Sequence, residues 1–392
     1  MKVIMVCCEA YPFHYVYSGS PKYIYYLSKY LIKHGVDVEI VTSLNNGKER
    51  SEVYDNIKYT LLSTLTNSKL YYLRPLEFFL FSLRSARYLK KNSFDILHGF
   101  DMAPFFYIRF GKDVPVVYQP FGNEGFTIPS VTEGKPLYKT YHWVTSRVVW
   151  KYCGTNADVI AAEGEFQVDE IKKFYNVSQE KIFILPVGID SLYIKESLKK
   201  KKISREYLGL KNDDFVLLSV NTLTPPKGVN YLIDAFYLLK QKIDNVKLII
   251  IGSGSEEKKI IKKIRDYQLV NSIVHLKSVP ENTIYEHFAL SDLYVSPTLQ
   301  SDFIMGILEA EVCGLPIVST GQDWLVRNEI NGYVIPPKDA RAMAEAILKI
   351  YNKNEEDRKF MSIASQKIAK DYDFEEIAKR AIEQYHKLLK NR

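Results

Sequence analysis

Short unbroken apolar runs punctuate this chain, and polar or helical-period segments fill the gaps between them. Val3 to Cys8 is the first such run, as expected of a parallel strand covered on both faces. Glu9 to Lys22 reads as a loop, Tyr23 to His34 has the apolar spacing of a helix, and Val38 to Thr42 is a second strand. Val53 to Leu73 alternates unevenly and predicts irregular strands. Pro75 to Lys91 is an amphipathic helix, with aromatics on one side and Arg84, Arg87, Lys90 and Lys91 on the other. Asp95 to His98 and Val114 to Tyr118 predict strands with a helix between them. Ala157 to Ala162, a helix over Phe166 to Tyr175, and Lys181 to Asp190 close the first half. Ser191 to Lys202 is lysine-dense and reads as a solvated linker.

The second half repeats the alternation. Phe215 to Val220, Val246 to Gly254 and Ile273 to Val279 predict strands, and Tyr285 to Ser291 a helix. Leu293 to Ser296 is a strand closed by Pro297. A polar loop follows, and Gly306 opens a helix that Gly314 and Pro316 stop, because glycine tolerates a left-handed cap and proline cannot continue. Ile317 and Val318 begin another buried strand, and Tyr372 to Lys390 is a terminal helix. Strand and helix alternating in both halves argue for an α/β protein of two doubly wound, Rossmann-like domains. Such sheets bind ligands at the carboxyl ends of their strands, where a helix opening at Gly306 aims backbone N–H groups at an anion. Glu309, one turn into that helix, points a carboxylate at the same space.

Composition narrows the class. The 392 residues are 46% hydrophobic and 25% charged, an ordinary globular balance. A net charge of +7 suits phosphate-bearing substrates or an anionic surface, but spread over this length it does not describe a nucleic-acid binder. Cys7, Cys8, Cys153 and Cys313 lie in apolar runs without ligand spacing, which fits buried thiols in a reducing cytosol. The opening MKVIMVCC has too few apolar residues before Glu9 for a signal peptide, and no apolar run approaches the ~18 residues of a membrane span. The expected location is therefore cytoplasmic, with the basic aromatic helix at Pro75 to Lys91 admitting peripheral contact at the inner membrane face. Val246 to Gly254 (VKLIIIGSG) lacks the third glycine of a dinucleotide fingerprint. It is not expected to open a clean βαβ unit with an acidic residue, so a nicotinamide enzyme is disfavoured.

The segment PTLQSDFIMGILEAEVCGLPIVST resembles the donor-binding stretch of retaining GT-B glycosyltransferases, family 4 in particular. Pro297, Phe303, Glu309, Ala310, Gly314, Pro316, Ile317 and Val318 fall in step with the family pattern P-S-x-x-E-G-F-G-x-x-x-x-E-A-x-A-x-G-x-P-V-V. NTLTPPKGVNYLIDAF is similar to the family's G-R-L-x-x-x-K-G-x-x-x-L-I-x-A-F, with Lys227 and Gly228 in place. KIFILPVGID and NGYVIPPKD also match, and the first β-loop-α-β unit carries Ser18 and Gly19 where the family has two glycines. Three positions depart: Thr222 stands in the arginine slot, Ser301 (followed by Asp302) in that of the first glutamate, and Phe121 in that of a histidine. The later G-G-x-P-E loop is shortened to GQDW, with Trp324 where a glutamate often stands.

The resemblance implies a GT-B fold: an acceptor domain over 1–190, a nucleotide-sugar donor domain over 191–371, and a helix over 372–392 crossing back, with the two domains facing across a cleft. It implies transfer of a sugar from a nucleotide-diphospho-sugar to a glycan or lipid-linked acceptor, with retention at the anomeric carbon. Lys227 and the N–H groups near Gly306 would stabilise the leaving diphosphate, and Glu309 would hold the donor's ribose. Asp302 would supply a carboxylate one residue from the usual one. Gly19, Thr222, Ser301, Phe303, Ile304, Met305 and Gly306 would line the donor. No cofactor or metal is expected, because lysine and helix dipole carry the positive charge. Lys22 is a candidate substitute for the lost arginine, and His14 and Glu124 for the lost histidine. The three departures also admit a different class, a GT-B-shaped protein that binds a sugar nucleotide or a protein partner without turnover.

Overall fold

A computed structural model describes residues 1–14, 19–44, 48–64, 74–121, 145–199, 203–280, 283–299 and 305–391. The chain folds as two units, Met1–Gly188 with Phe374–Arg392, and Ile189–Asp373.

Unit 1 contains β1 (Lys2–Cys7), α1 (Gly19–Lys33), β2 (Asp37–Leu44), β3 (Arg50–Tyr54), β4 (Ile57–Ser63), α2 (Arg74–Leu89), β5 (Ile96–Phe100), α3 (Phe105–Arg109) and β6 (Val116–Gln119). A π-helical turn over Thr145–Trp150 runs into α4 (Lys151–Asn156), followed by β7 (Val159–Ala162), α5 (Glu165–Tyr175) and β8 (Ile182–Ile184). The sheet order is β3-β4-β2-β1-β5-β6-β7-β8, parallel throughout except for the β3–β4 pair. β1 is apolar at successive positions because both faces are covered. Val3 and Met5 pack with α1, whereas Ile4 and Val6 pack with the α2, α3 and α5 side. The strands expected to be irregular after Val53 form a regular hairpin, whose turn residues Asp55 and Asn56 both have positive φ, as a two-residue turn between twisted strands demands. Residues 65–73 of that expectation lie outside the described residues.

Unit 2 opens with a correction. Ser191–Lys199 is a helix, α6, with Ile194 buried and Asp190 accepting from the Tyr193 N–H at its start. Its lysines occupy the outer face and mask the apolar period that packs inward. Then come β9 (Phe215–Val220), α7 (Val229–Lys240), β10 (Val246–Ile251), α8 (Glu257–Asp266), β11 (Ile273–Leu276), α9 (Ile284–Ala289), β12 (Leu293–Ser296), α10 (Met305–Val312), β13 (Ile317–Ser319), β14 (Gly332–Val334), α11 (Ala340–Tyr351) and α12 (Glu355–Lys370). The sheet is wholly parallel in the order β11-β10-β9-β12-β13-β14. β10, α8 and β11 do form a complete βαβ unit, contrary to expectation. Only Ile260 and Ile264 of α8 are buried, so its charge hides the apolar stripe in sequence. The chain runs outward from β9 to β11 and returns to the other side of β9 at β12. That reversal leaves a crevice at the carboxyl ends of β9 and β12.

The terminal helix α13 (Phe374–Lys390) belongs to unit 1 and packs along α1, where Phe374 stacks on Tyr26 at 5.4 Å and Glu375 pairs with Lys33 at 2.7 Å. Among the described residues no helix is long and apolar enough to cross a membrane.

Candidate donor site in unit 2

A cavity of about 450 Å³ opens at the reversal point, entirely within unit 2. The end of β9 contributes Val220, Asn221 and Thr222, and the end of β10 contributes Ile251, Gly252 and Ser253. Lys277, Ser278 and Val279 follow β11, Ile284 opens α9, and α10 presents Met305, Gly306 and Glu309.

Gly306 is glycine for a packing reason. A Cβ there would stand 2.1 Å from the Tyr294 hydroxyl, which lies under the first turn of α10 and donates to the Val220 carbonyl at 3.3 Å. Burial, with the Glu309 charge added, pushes the Tyr294 phenol pKa well up, so this hydroxyl stays a neutral donor. Met305 and Gly306, in the first described turn of α10, face this cavity. Glu309 is half-buried in the wall and accepts from the Tyr285 hydroxyl at 3.3 Å.

Lys227 ends a 3-10 turn, Pro225–Lys227, just before α7. Gly228 behind it has φ 64°, and a Cβ there would meet the Pro297 carbonyl oxygen at 2.0 Å. Leu299 N–H donates to the Pro226 carbonyl at 2.7 Å, so the lysine turn is clamped to the loop leaving β12. Lys227 is half-buried, has no ion pair among the described residues, and is not among the residues that line the cavity.

Thr222, Met305, Gly306 and Glu309 are therefore brought to one cavity, whereas Lys227, five residues beyond Thr222, is not part of its lining. Ser301, Asp302, Phe303 and Ile304 lie outside the described residues, as does Glu124. Gly19 opens α1 in unit 1. Among the residues that sequence reasoning did not single out are Asn221, Ser253, Lys277 and Tyr285. For Asn221, Ser253 and Lys277 the only signal is position just past a strand end, whereas Tyr285 stands in α9 and meets the site through Glu309. Lys277 pairs with Glu257 at 2.8 Å and holds that carboxyl below its usual range.

In unit 1, His14 is committed elsewhere. Its ring bonds to the Ala10 backbone at 3.1 Å and to Ser43 at 3.2 Å, which makes it a buried structural histidine. Phe121, in the family's histidine slot, stacks on Phe100 at 5.3 Å. The nearby polar chain runs from Tyr385 through His98 and Gln119 to Tyr23, with links of 2.7, 3.1 and 3.2 Å. Burial lowers the pKa of His98 to about 3, so it stays neutral. Among the described residues no three His, Cys, Asp or Glu side chains gather as metal ligands would.

Residues 17–191 match the family model described as Glycosyltransferase Family 4, and residues 200–367 match Glycosyl transferases group 1. The UDP-Gal:alpha-D-GlcNAc-diphosphoundecaprenol alpha-1,3-galactosyltransferase of Escherichia coli is 29% identical over 67% of this chain and 67% of its own length. The O-antigen chain mannosyltransferase C of Escherichia coli is 23% identical over 92% of this chain and 91% of its own. For the first three curated relatives, the match spans between 53% and 67% of their length. Among solved structures, Alr3699/HepE of Anabaena in complex with UDP superposes with a TM-score of 0.73 at 18% identity, over 99% of this chain and 100% of that one. With one family model in each half and this fold shared along its length, the chain belongs to the GT-B glycosyltransferases.

Proposed function

We propose that this chain transfers a sugar from a nucleotide-diphospho-sugar, bound in the unit 2 cavity, to a glycan or lipid-linked acceptor with retention at the anomeric carbon. The observation that carries this reading is the convergence on one cavity of Thr222, the first described turn of α10 and Glu309. As the sugar–phosphate bond breaks, negative charge grows on the diphosphate and positive charge on the ring. Donors held in place before the reaction stabilise the former at no reorganisation cost. The first-turn N–H groups of α10 and the Lys227 ammonium are such donors. Glu309, steadied by Tyr285, accepts from the ribose hydroxyls and fixes the donor's position. Thr222 keeps a neutral hydroxyl where the family has arginine, so the grip on the diphosphate falls to the helix terminus and Lys227. This chemistry needs no metal, and by the family resemblance Asp302 is the carboxylate offered to the sugar.

The relatives support the substrate classes. One is named for a UDP-galactose donor and a diphosphoundecaprenol acceptor, and the HepE structures hold UDP, UDP with glucose, and UDP-glucose. The test is turnover, followed by proton NMR of each UDP- and GDP-sugar with the protein and a bacterial lipid extract. Consumption of one donor, with a product of the donor's anomeric configuration, is the expected result. A donor that binds but is never consumed would point instead to binding without turnover.

A further inference from the structure

We propose that Glu311 anchors α10 from behind and makes the seating of this helix depend on a proton. That it thereby positions Glu309 for a donor rests on the function proposed above.

α10 sends two carboxylates in different directions. Glu309 lines the cavity, and Glu311, two residues on, points about 200° further round the helix, where it is fully buried. There its Oε1 accepts from the Asn331 side-chain amide at 3.0 Å. Asn331 is itself fully buried and joins several elements. The same amide nitrogen donates to the Leu325 carbonyl at 3.0 Å, and its Oδ1 accepts from the Arg327 N–H at 2.7 Å. Its backbone carbonyl accepts from the Ile317 N–H of β13 at 3.0 Å. α10 is thus seated at two points, Gly306 on the Tyr294 hydroxyl and Glu311 on Asn331, with Glu309 between them.

The second seat has the chemistry of an acid and not of an anion. Oε2 of Glu311 is buried with no partner among the described residues, where an unpaired charge is far costlier than a hydroxyl. Glu311 also stands in the last turn of α10, beside the partial negative charge of the helix end. Burial holds its carboxyl well above the usual carboxylate range. The Asn331 bond and Arg327, the one charged group among the described residues that bears on it, oppose this without reversing it. A seated Glu311 therefore keeps its proton, whereas a lifted helix releases it once pH exceeds the ordinary glutamate value of 4.5. The seat is fully stable below that pH and loosens as pH rises above it.

Amide hydrogen exchange over residues 305–312, followed by mass spectrometry on the full chain, reads the lifting of α10. Glu311→Gln keeps an acceptor for Asn331 and has no proton to lose. Relative to that variant at each pH, which cancels the intrinsic pH dependence of exchange, wild-type protection should fall by up to about tenfold per unit between pH 6 and pH 8. Parallel trends in the two proteins overturn the proposal. Glu311→Leu, which removes the acceptor, should weaken binding of UDP or GDP, whichever the wild type takes, several-fold, while Glu311→Gln retains it. Unchanged affinity in Glu311→Leu overturns the positioning role. If the wild type binds neither nucleotide, the donor reading fails and the positioning role with it, and the exchange comparison alone decides the proton link.

Discussion

The Tyr285 hydroxyl donates to Oε1 of Glu309 across 3.3 Å, joining α9 to the wall of the cavity that α10 opens. One carboxylate oxygen is thereby oriented by the protein, and the group is fixed before a ribose arrives. Glu309→Gln should weaken nucleoside diphosphate binding by about 1.5–3 kcal/mol, the range for a hydrogen bond to a charged group. Titration calorimetry reads this directly. Unchanged affinity would remove the ribose role.

Lys227→Ala should abolish measurable donor affinity while barely moving the melting temperature. The lysine is half-buried and without an ion pair among the described residues, so its loss leaves no buried partner stranded. A variant that binds donor as tightly as wild type would show that the phosphate is held elsewhere.

Gly306→Ala should destabilise unit 2 by about 1–3 kcal/mol, the usual cost of overpacking a filled site. The new methyl meets the Tyr294 hydroxyl, so Tyr294→Phe in the same chain should recover part of the loss. Denaturant midpoints of the single and double variants decide this, and simple additivity would mean that the clash is not the cause.

His98 is neutral in the fold, with its pKa lowered to about 3 against an ordinary 6.5. Below pH 6.5 the unfolded chain therefore binds a proton that the folded chain does not. The stability that this histidine contributes is fully present above that pH, and is lost at up to about 1.4 kcal/mol per pH unit as pH falls towards 3. Urea midpoints between pH 7 and pH 5 should drop less steeply in His98→Gln than in wild type.

Much of this architecture was legible because strands buried on both faces write themselves as apolar runs. β1, β9, β10 and β12 lie where Val3 to Cys8, Phe215 to Val220, Val246 to Gly254 and Leu293 to Ser296 announce them. Charge obscured the rest. The lysines of Ser191 to Lys202 hid α6, and EKKIIKKIRD hid α8 behind two buried isoleucines. The unevenness after Val53 concealed a regular hairpin, since β3 is an edge strand whose residues are largely exposed on both faces.

At the candidate site, Gly306 and Glu309 were readable from one short motif on one helix. Lys277 and Tyr285 were not, because Lys277 enters just past the end of β11 and Tyr285 touches Glu309 from α9, elements that only the fold brings together. Gly306 also carries a second meaning that spacing cannot convey. It accommodates the Tyr294 hydroxyl packed beneath the helix as well as lining the cavity. His14 shows the converse, a histidine in a loop after a strand whose ring is already spent on Ala10 and Ser43.

The most direct test of the donor site is a thermal-shift comparison of wild type and Glu309→Gln with UDP, GDP and ADP, without added metal. One nucleotide at 100 times its Kd should stabilise wild type by about 2.7 kcal/mol, and the variant clearly less at the same concentration. No shift of wild type with any of the three would contradict a nucleotide site in this cavity, and an equal shift in both proteins would remove Glu309 from it.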